Sequence, residues 1–177
     1  MNFAATVLTK SLSGSVAGLA VLLAWAGAAA AQGANKLGAY GNWSLNATPD
    51  AASKTCFAAA SPTQKEPANA NRAPVILYVS AWPKEGVKSE ISFKLGYKIK
   101  GDSDVVVTVG TATYKLFAKD DRAFIADATQ ELKLLDEMKK GAKLQIQATS
   151  ERGTATTDTY SLAGLSQALK AMAASCP

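Results

Sequence analysis

Serine with lysine is the only nucleophile–base combination this sequence permits. No histidine occurs in 177 residues, which excludes Ser-His-Asp and Cys-His catalysis, an HExxH zinc site and imidazole proton transfer near neutral pH. Two cysteines, Cys56 and Cys176, are too few for a thiolate zinc cage or an iron–sulfur cluster. No Ser-x-x-Lys or Gly-x-Ser-x-Gly signature follows the N-terminal segment, so a Ser/Lys hydrolase is the alternative class and not the leading one. The acids Asp102, Asp104, Asp120 and Asp121 lack calcium-loop spacing and suit turns. No cofactor and no metal is expected.

Binding chemistry is better represented. From Lys88 to Lys100, Ile91, Phe93, Leu95, Tyr97 and Ile99 share one parity, and Lys88, Glu90, Lys94, Lys98 and Lys100 share the other. A straight strand would bury the first set and project Lys88, Lys94, Lys98 and Lys100 as a basic strip able to meet phosphates or carboxylates. The competing reading is that these lysines solubilise a sheet and discourage edge pairing. Trp43 and Trp82 flank strand ends and could form an aromatic recognition patch, although tryptophans at such places more often pack inward with the indole N–H bonded.

The elements positioning these residues are mostly strands. Tyr40–Leu45 and Lys54–Ala59 read as short strands, and residues 61–73, rich in proline and polar side chains, as the longest loop. Pro74–Trp82 is apolar on both parities, as in a strand covered on two sides. Strands at Val105–Val109, Thr113–Phe117 and Arg122–Ile125 follow, then Leu144–Ala148 and Thr154–Tyr160. A helix capped by Asp127 and ended by Gly141 should bury Ala128, Leu132, Leu135 and Met138. A last helix, with Ser161 at its N-cap, should present Leu162, Leu165, Leu169 and Met172, with Cys176 continuing that face. The fold class is mainly β: a β-sandwich of eight or nine strands with two helices, one C-terminal.

Residues 1–31 read as an export signal. Lys10 is the only charge before Lys36, Val16–Ala31 is apolar or small throughout, and Ala29-Ala30-Ala31 suits a signal peptidase. Cleavage there leaves residues 32–177 as a single domain, with a net charge one lower than the whole chain's +5. An exported chain with an even cysteine count points to a Cys56–Cys176 disulfide, closing a loop of about 120 residues. No arginine-rich run or aromatic–basic stacking motif suggests nucleic acid as a partner. Membrane contact is expected only through the signal segment or peripherally.

Several further stretches resemble the invasion-associated locus B family of exported envelope proteins. They are Tyr40-Gly41-Asn42-Trp43, Lys88-Ser89-Glu90-Ile91-Ser92 with Leu95-Gly96-Tyr97, Lys115-Leu116-Phe117 and Met138-Lys139-Lys140-Gly141. Ser150-Glu151-Arg152-Gly153-Thr154 and Asp158-Thr159-Tyr160-Ser161-Leu162-Ala163-Gly164-Leu165 complete the set. Typical members carry further cysteines that this chain lacks between Cys56 and Cys176. The resemblance implies a periplasmic or outer-envelope β-rich domain, with a role in host-cell entry in some members. Together with the missing catalytic chemistry, this gives a non-enzymatic module that binds or supports an unknown envelope or host component, or a purely structural envelope component.

Overall fold

Alternating side chains decide which face of an inner strand turns inward, and eleven strands, two of them exposed edges, stand in one antiparallel order. The computed structural model describes residues 33–50 and 54–177; the expected signal segment lies outside the described residues. In chain order the strands are β1 (Asn35–Tyr40), β2 (Trp43–Ala47), β3 (Cys56–Ala60), β4 (Gln64–Glu66), β5 (Ile76–Trp82) and β6 (Val87–Lys94), then β7 (Val105–Val109), β8 (Ala112–Lys119), β9 (Arg122–Phe124), β10 (Lys143–Thr149) and β11 (Ala155–Ser161). Helix α1 (Ala128–Lys140) precedes β10, and α2 (Leu165–Ser175) ends the fold. The spatial order is β1-β2-β3-β5-β6-β9-β8-β7-β10-β11-β4.

The mainly β class with two helices, one of them C-terminal, agrees with the sequence. The strand count exceeds the expected eight or nine by β1 and β4, and these are the two edges of the sheet. Their side chains are largely exposed, so burial leaves no alternation for a sequence to display. Thus the region expected to be one loop, residues 61–73, contains β4 paired to β11.

Strand β8 changes partner midway. Val105 to Val109 of β7 pair with Leu116 to Ala112, whereas Phe117–Lys119 pair with β9. The sheet bends there, and its halves meet over one core. Phe93 of β6 touches Tyr160 of β11 edge-on at 6.3 Å, and the Trp43 indole donates to the Ser161 carbonyl at 3.1 Å. One sheet therefore supplies both layers of the expected sandwich.

Cross-strand register sets the inner surface in rows: Trp43, Ala60, Leu77, Phe93 and Ala123 in one, Leu45, Ala58, Val79 and Ile91 in the next, and Ala47, Cys56 and Ala81 in a third. Strand β3 contributes only small side chains to these rows, and α2 packs against β1, β2 and β3. Gly164 sits immediately before the helix at φ +95°, where an added Cβ would stand 1.9 Å from the Tyr40 carbonyl oxygen. Ser161 is therefore not the N-cap. It ends β11, and its hydroxyl accepts from the Ala163 N–H.

Two other expectations fail for identifiable reasons. Strand β5 buries Leu77, Val79 and Ala81, but on the opposite face only Ser80 is buried while Ile76, Tyr78 and Trp82 stay half-buried, so its cover is complete on one side only. In α1, Asp127 caps as expected by accepting from the Gln130 N–H, yet the buried residues are Leu134, Leu135 and Met138, with Leu132 59% exposed. The inward turn begins with a polar residue, Glu131, whose carboxylate accepts from the Ile91 N–H at 2.6 Å. Strand β9 pairs with β6 only at Ser92–Lys94, so the glutamate occupies a backbone donor that the short strand leaves open.

Burial raises the Glu131 carboxyl above the usual carboxylate range, against the lowering effect of the Ile91 N–H. A raised acid contributes stability below its ordinary pKa that is lost as pH climbs through the raised value. Glu131→Gln keeps an acceptor for Ile91 and cannot ionise. Its stability relative to the native chain should therefore improve between about pH 4 and about pH 7. Urea unfolding at both pH values measures this, and a pH-independent difference would contradict it.

Candidate functional site

Cys56 and Cys176 form a disulfide with Cα atoms 6.1 Å apart, joining the start of β3 to the end of α2. Both residues are buried. Lys54 reinforces this corner, its ammonium donating to the Ser175 carbonyl at 2.6 Å. The bond is a structural clasp spanning 120 residues.

The four lysines do not form one strip. Strand β6 stops at Lys94, and the chain turns through Gly96 at φ +73°, where a Cβ would meet the Ala73 carbonyl oxygen at 2.2 Å. Beyond the break Ile99 bridges to Ser150 instead. Lys88 lines a groove beside the helices, and Lys94 lies 3.7 Å from Asp121. Lys98 pairs with Glu151 at 2.7 Å, which raises its pKa, and Lys100 is exposed beyond the break. The inward parity persists across Gly96, with Ile91, Phe93, Leu95 and Ile99 buried, but the single straight strand that would align the lysines does not.

The two tryptophans also separate. Trp43 is 1% exposed with its indole N–H bonded, hence part of the core. Trp82 is half-buried beside a cleft of about 390 Å³ with Lys84 and Glu85.

An aromatic–basic surface does exist, on residues not singled out beforehand apart from Lys94. On the outer face, register places Tyr78, Ser92, Phe124 and Phe117 in one row across β5, β6, β9 and β8. The rings of Phe117 and Phe124 stack at 5.4 Å, and Phe117 is 48% exposed. Ile76, Lys94, Arg122 and Lys119 form the adjoining row. The Arg122 guanidinium lies 5.4 Å from the Tyr78 ring, and Phe57 meets Tyr78 edge-on at 5.8 Å. Ser92 is 3% exposed despite facing outward, because its row neighbours are large. The nearby Glu90 carboxyl is held above its usual range by burial and by Glu131, with Arg122 opposing. The available signal was parity: Phe117 and Phe124 fall on the solvent-facing positions of β8 and β9.

A second group of polar side chains, centred on a buried ion pair, carries no signal in the sequence. Arg72, in the presumed loop, makes a bidentate pair with Asp158 of β11, and their side chains are 4% and 0% exposed. Burial is the largest influence and disfavours the Arg72 charge, but the hydrogen bond to Asp158 and that carboxylate's charge, with smaller contributions from Tyr97 and Tyr160, together raise the arginine pKa. Tyr97 lies under the guanidinium at 5.7 Å and bonds Thr156 through its hydroxyl. The Tyr160 hydroxyl, without a hydrogen-bond partner among the described residues, is raised mainly by burial and then by the Asp158 charge. This cluster ties β11 to the segment after β4; its ion pair is buried, while Arg72, Tyr97 and Thr156 also line a cleft of about 350 Å³ beside Asn69 and Arg152.

Among the described residues, no group of acidic or cysteine side chains is arranged to hold a metal ion, and no helix is long and apolar enough to cross a membrane. The family model described as invasion associated locus B (IalB) protein matches residues 43–173. A crystal structure of invasion associated protein B from Bartonella henselae superposes with a TM-score of 0.57 at 20% identity, covering 77% of this chain and 95% of that one. At that identity the likeness is one of fold. No curated protein matches the sequence.

The Arg72–Asp158 pair makes a stability prediction. Arg72→Ala leaves a buried carboxylate unpaired and should cost about 3–5 kcal/mol, whereas Arg72→Met combined with Asp158→Leu should recover most of that loss. Urea unfolding of the single and double variants tests the point, and equal losses in both would refute it.

Proposed function

The chain belongs to the invasion associated locus B family, and on that premise we propose that it is an exported, non-enzymatic module that binds an acidic component of the cell envelope. The observation carrying this reading is the uncovered aromatic–basic face of β5, β6, β9 and β8. Stacked rings beside Arg122, Lys94 and Lys119 offer apolar area and positive charge on paired strands. Such a surface suits contact with an extended, anionic partner, and the positive net charge favours encounter with one. Residues 1–31 supply the export signal in this reading, and residues 32–177 the working domain, in the periplasm or outer envelope. Contact with a host surface, which the family name suggests, is a narrower version of the same proposal.

A Ser/Lys hydrolase has less support. Among the described residues no serine hydroxyl is hydrogen-bonded to a lysine ammonium. Ser150 instead accepts from the Thr154 N–H and Ser44 donates to the Ala59 carbonyl, both turn or strand contacts.

Photo-crosslinking in intact cells tests the binding face. A benzoylphenylalanine at Phe117 should give a reproducible adduct that Arg122→Glu diminishes, while the same probe at Lys170 on α2 should not. Adducts of equal yield at both positions, or none at Phe117, would leave a purely structural component as the better account.

A further inference from the structure

A second surface, separate from the aromatic face, has the form of a ligand site. Between α1, α2 and the β5–β6 turn lies a groove of about 460 Å³, within the range of small-molecule sites. Its lining includes Ala81, Leu135, Leu169, Met172 and Cys176 of the disulfide, all aliphatic or sulfur-bearing, with no aromatic ring. The helices converge here because the disulfide fixes the end of α2 and Leu135 and Met138 of α1 turn inward. Two cations, Lys88 and Lys139, stand among the lining residues. Lys139 shares its charge with Asp136 at 3.1 Å in an exposed pair of little energetic weight. Lys88 makes no ion pair among the described residues.

We propose that this groove binds a free fatty acid, its acyl chain along the aliphatic lining and its carboxylate on Lys88 with help from Lys139. Lys88 and Lys139 place positive charge in the lining, which favours an anion. The aliphatic walls select a hydrocarbon chain, and the methionine and leucine side chains can adapt to its bends. A peptide fits less well. Ser89 is the only uncharged polar side chain in the lining, so a peptide backbone would find few partners there.

The test uses the purified folded chain and dodecanoate below its micelle concentration, followed by calorimetry. Dodecanoate should bind with one molecule per chain. Dodecanol, which lacks the charge, and the Lys88→Gln variant should each weaken binding roughly tenfold. Decanoate should bind about fifteenfold more weakly, at roughly fourfold per methylene removed. Ala173→Trp, at an exposed position of α2 that lines the groove, should abolish binding without shifting the thermal unfolding midpoint. Equal affinity for dodecanoate and dodecanol, unaltered binding in Ala173→Trp, or capture of phospholipid vesicles without capture of monomeric dodecanoate would each overturn the assignment. Arg122→Glu should leave dodecanoate binding unchanged, so failure here and failure of the envelope-binding face are separately visible.

Discussion

A helix can lie on the inner face of β2 and β3 only because Ala47, Cys56, Ala58 and Ala60 leave room for it. That run of small side chains is the constraint on which the remaining architecture depends. Larger residues would hold α2 away from the sheet, separate Cys56 from Cys176 and pull Gly164 off the Tyr40 carbonyl it touches. With the helix seated, the disulfide removes denatured-chain freedom worth about 4–5 kcal/mol for a loop of this length on the chain-entropy account. The Arg72–Asp158 pair then closes the far edge by tying the segment after β4 to β11.

This arrangement divides the sheet's two surfaces by duty. The inner surface is covered by its own other half and by the helices, so its rows are apolar, with Trp43 and Phe93 among small and aliphatic side chains. On the outer surface of β5, β6, β9 and β8, where Phe117 is 48% exposed, aromatic and cationic side chains stand where an ordinary solvated sheet would carry mixed polar groups. The convergence of α1 and α2 near the disulfide leaves the aliphatic groove. Both candidate surfaces are thus by-products of how the core is closed.

Much of the interior was readable because burial writes itself into alternation. The inward residues of β7 and β10 (Val105, Val107 and Val109, with Leu144, Ile146 and Ala148) are those parity predicts. The Cys56–Cys176 pairing is the one expected of an even cysteine count in a sequence that reads as exported. What stayed hidden lacked that periodic imprint. Strands β1 and β4 are exposed edges, and the phase of α1 is obscured by an inward glutamate. Arg72 forms its buried pair across 86 residues, from a segment with no periodicity at all. The lysine strip failed for a local reason: Gly96 permits a left-handed turn where continuous alternation implied a straight strand. The aromatic face was visible in principle but required knowing that β8, β9 and β6 are neighbours, which is a fact of topology.

Native-state hydrogen exchange on the oxidised and reduced protein tests this account most directly. If the small-residue bed and its disulfide seat α2, reduction should speed exchange at the amides of Ala168–Met172 and in β3. The amides of β7 and β10 should keep their protection, because their bonds do not depend on that corner. Unchanged exchange in α2, or an equal loss in both regions, would contradict the claim that this clasp organises the fold.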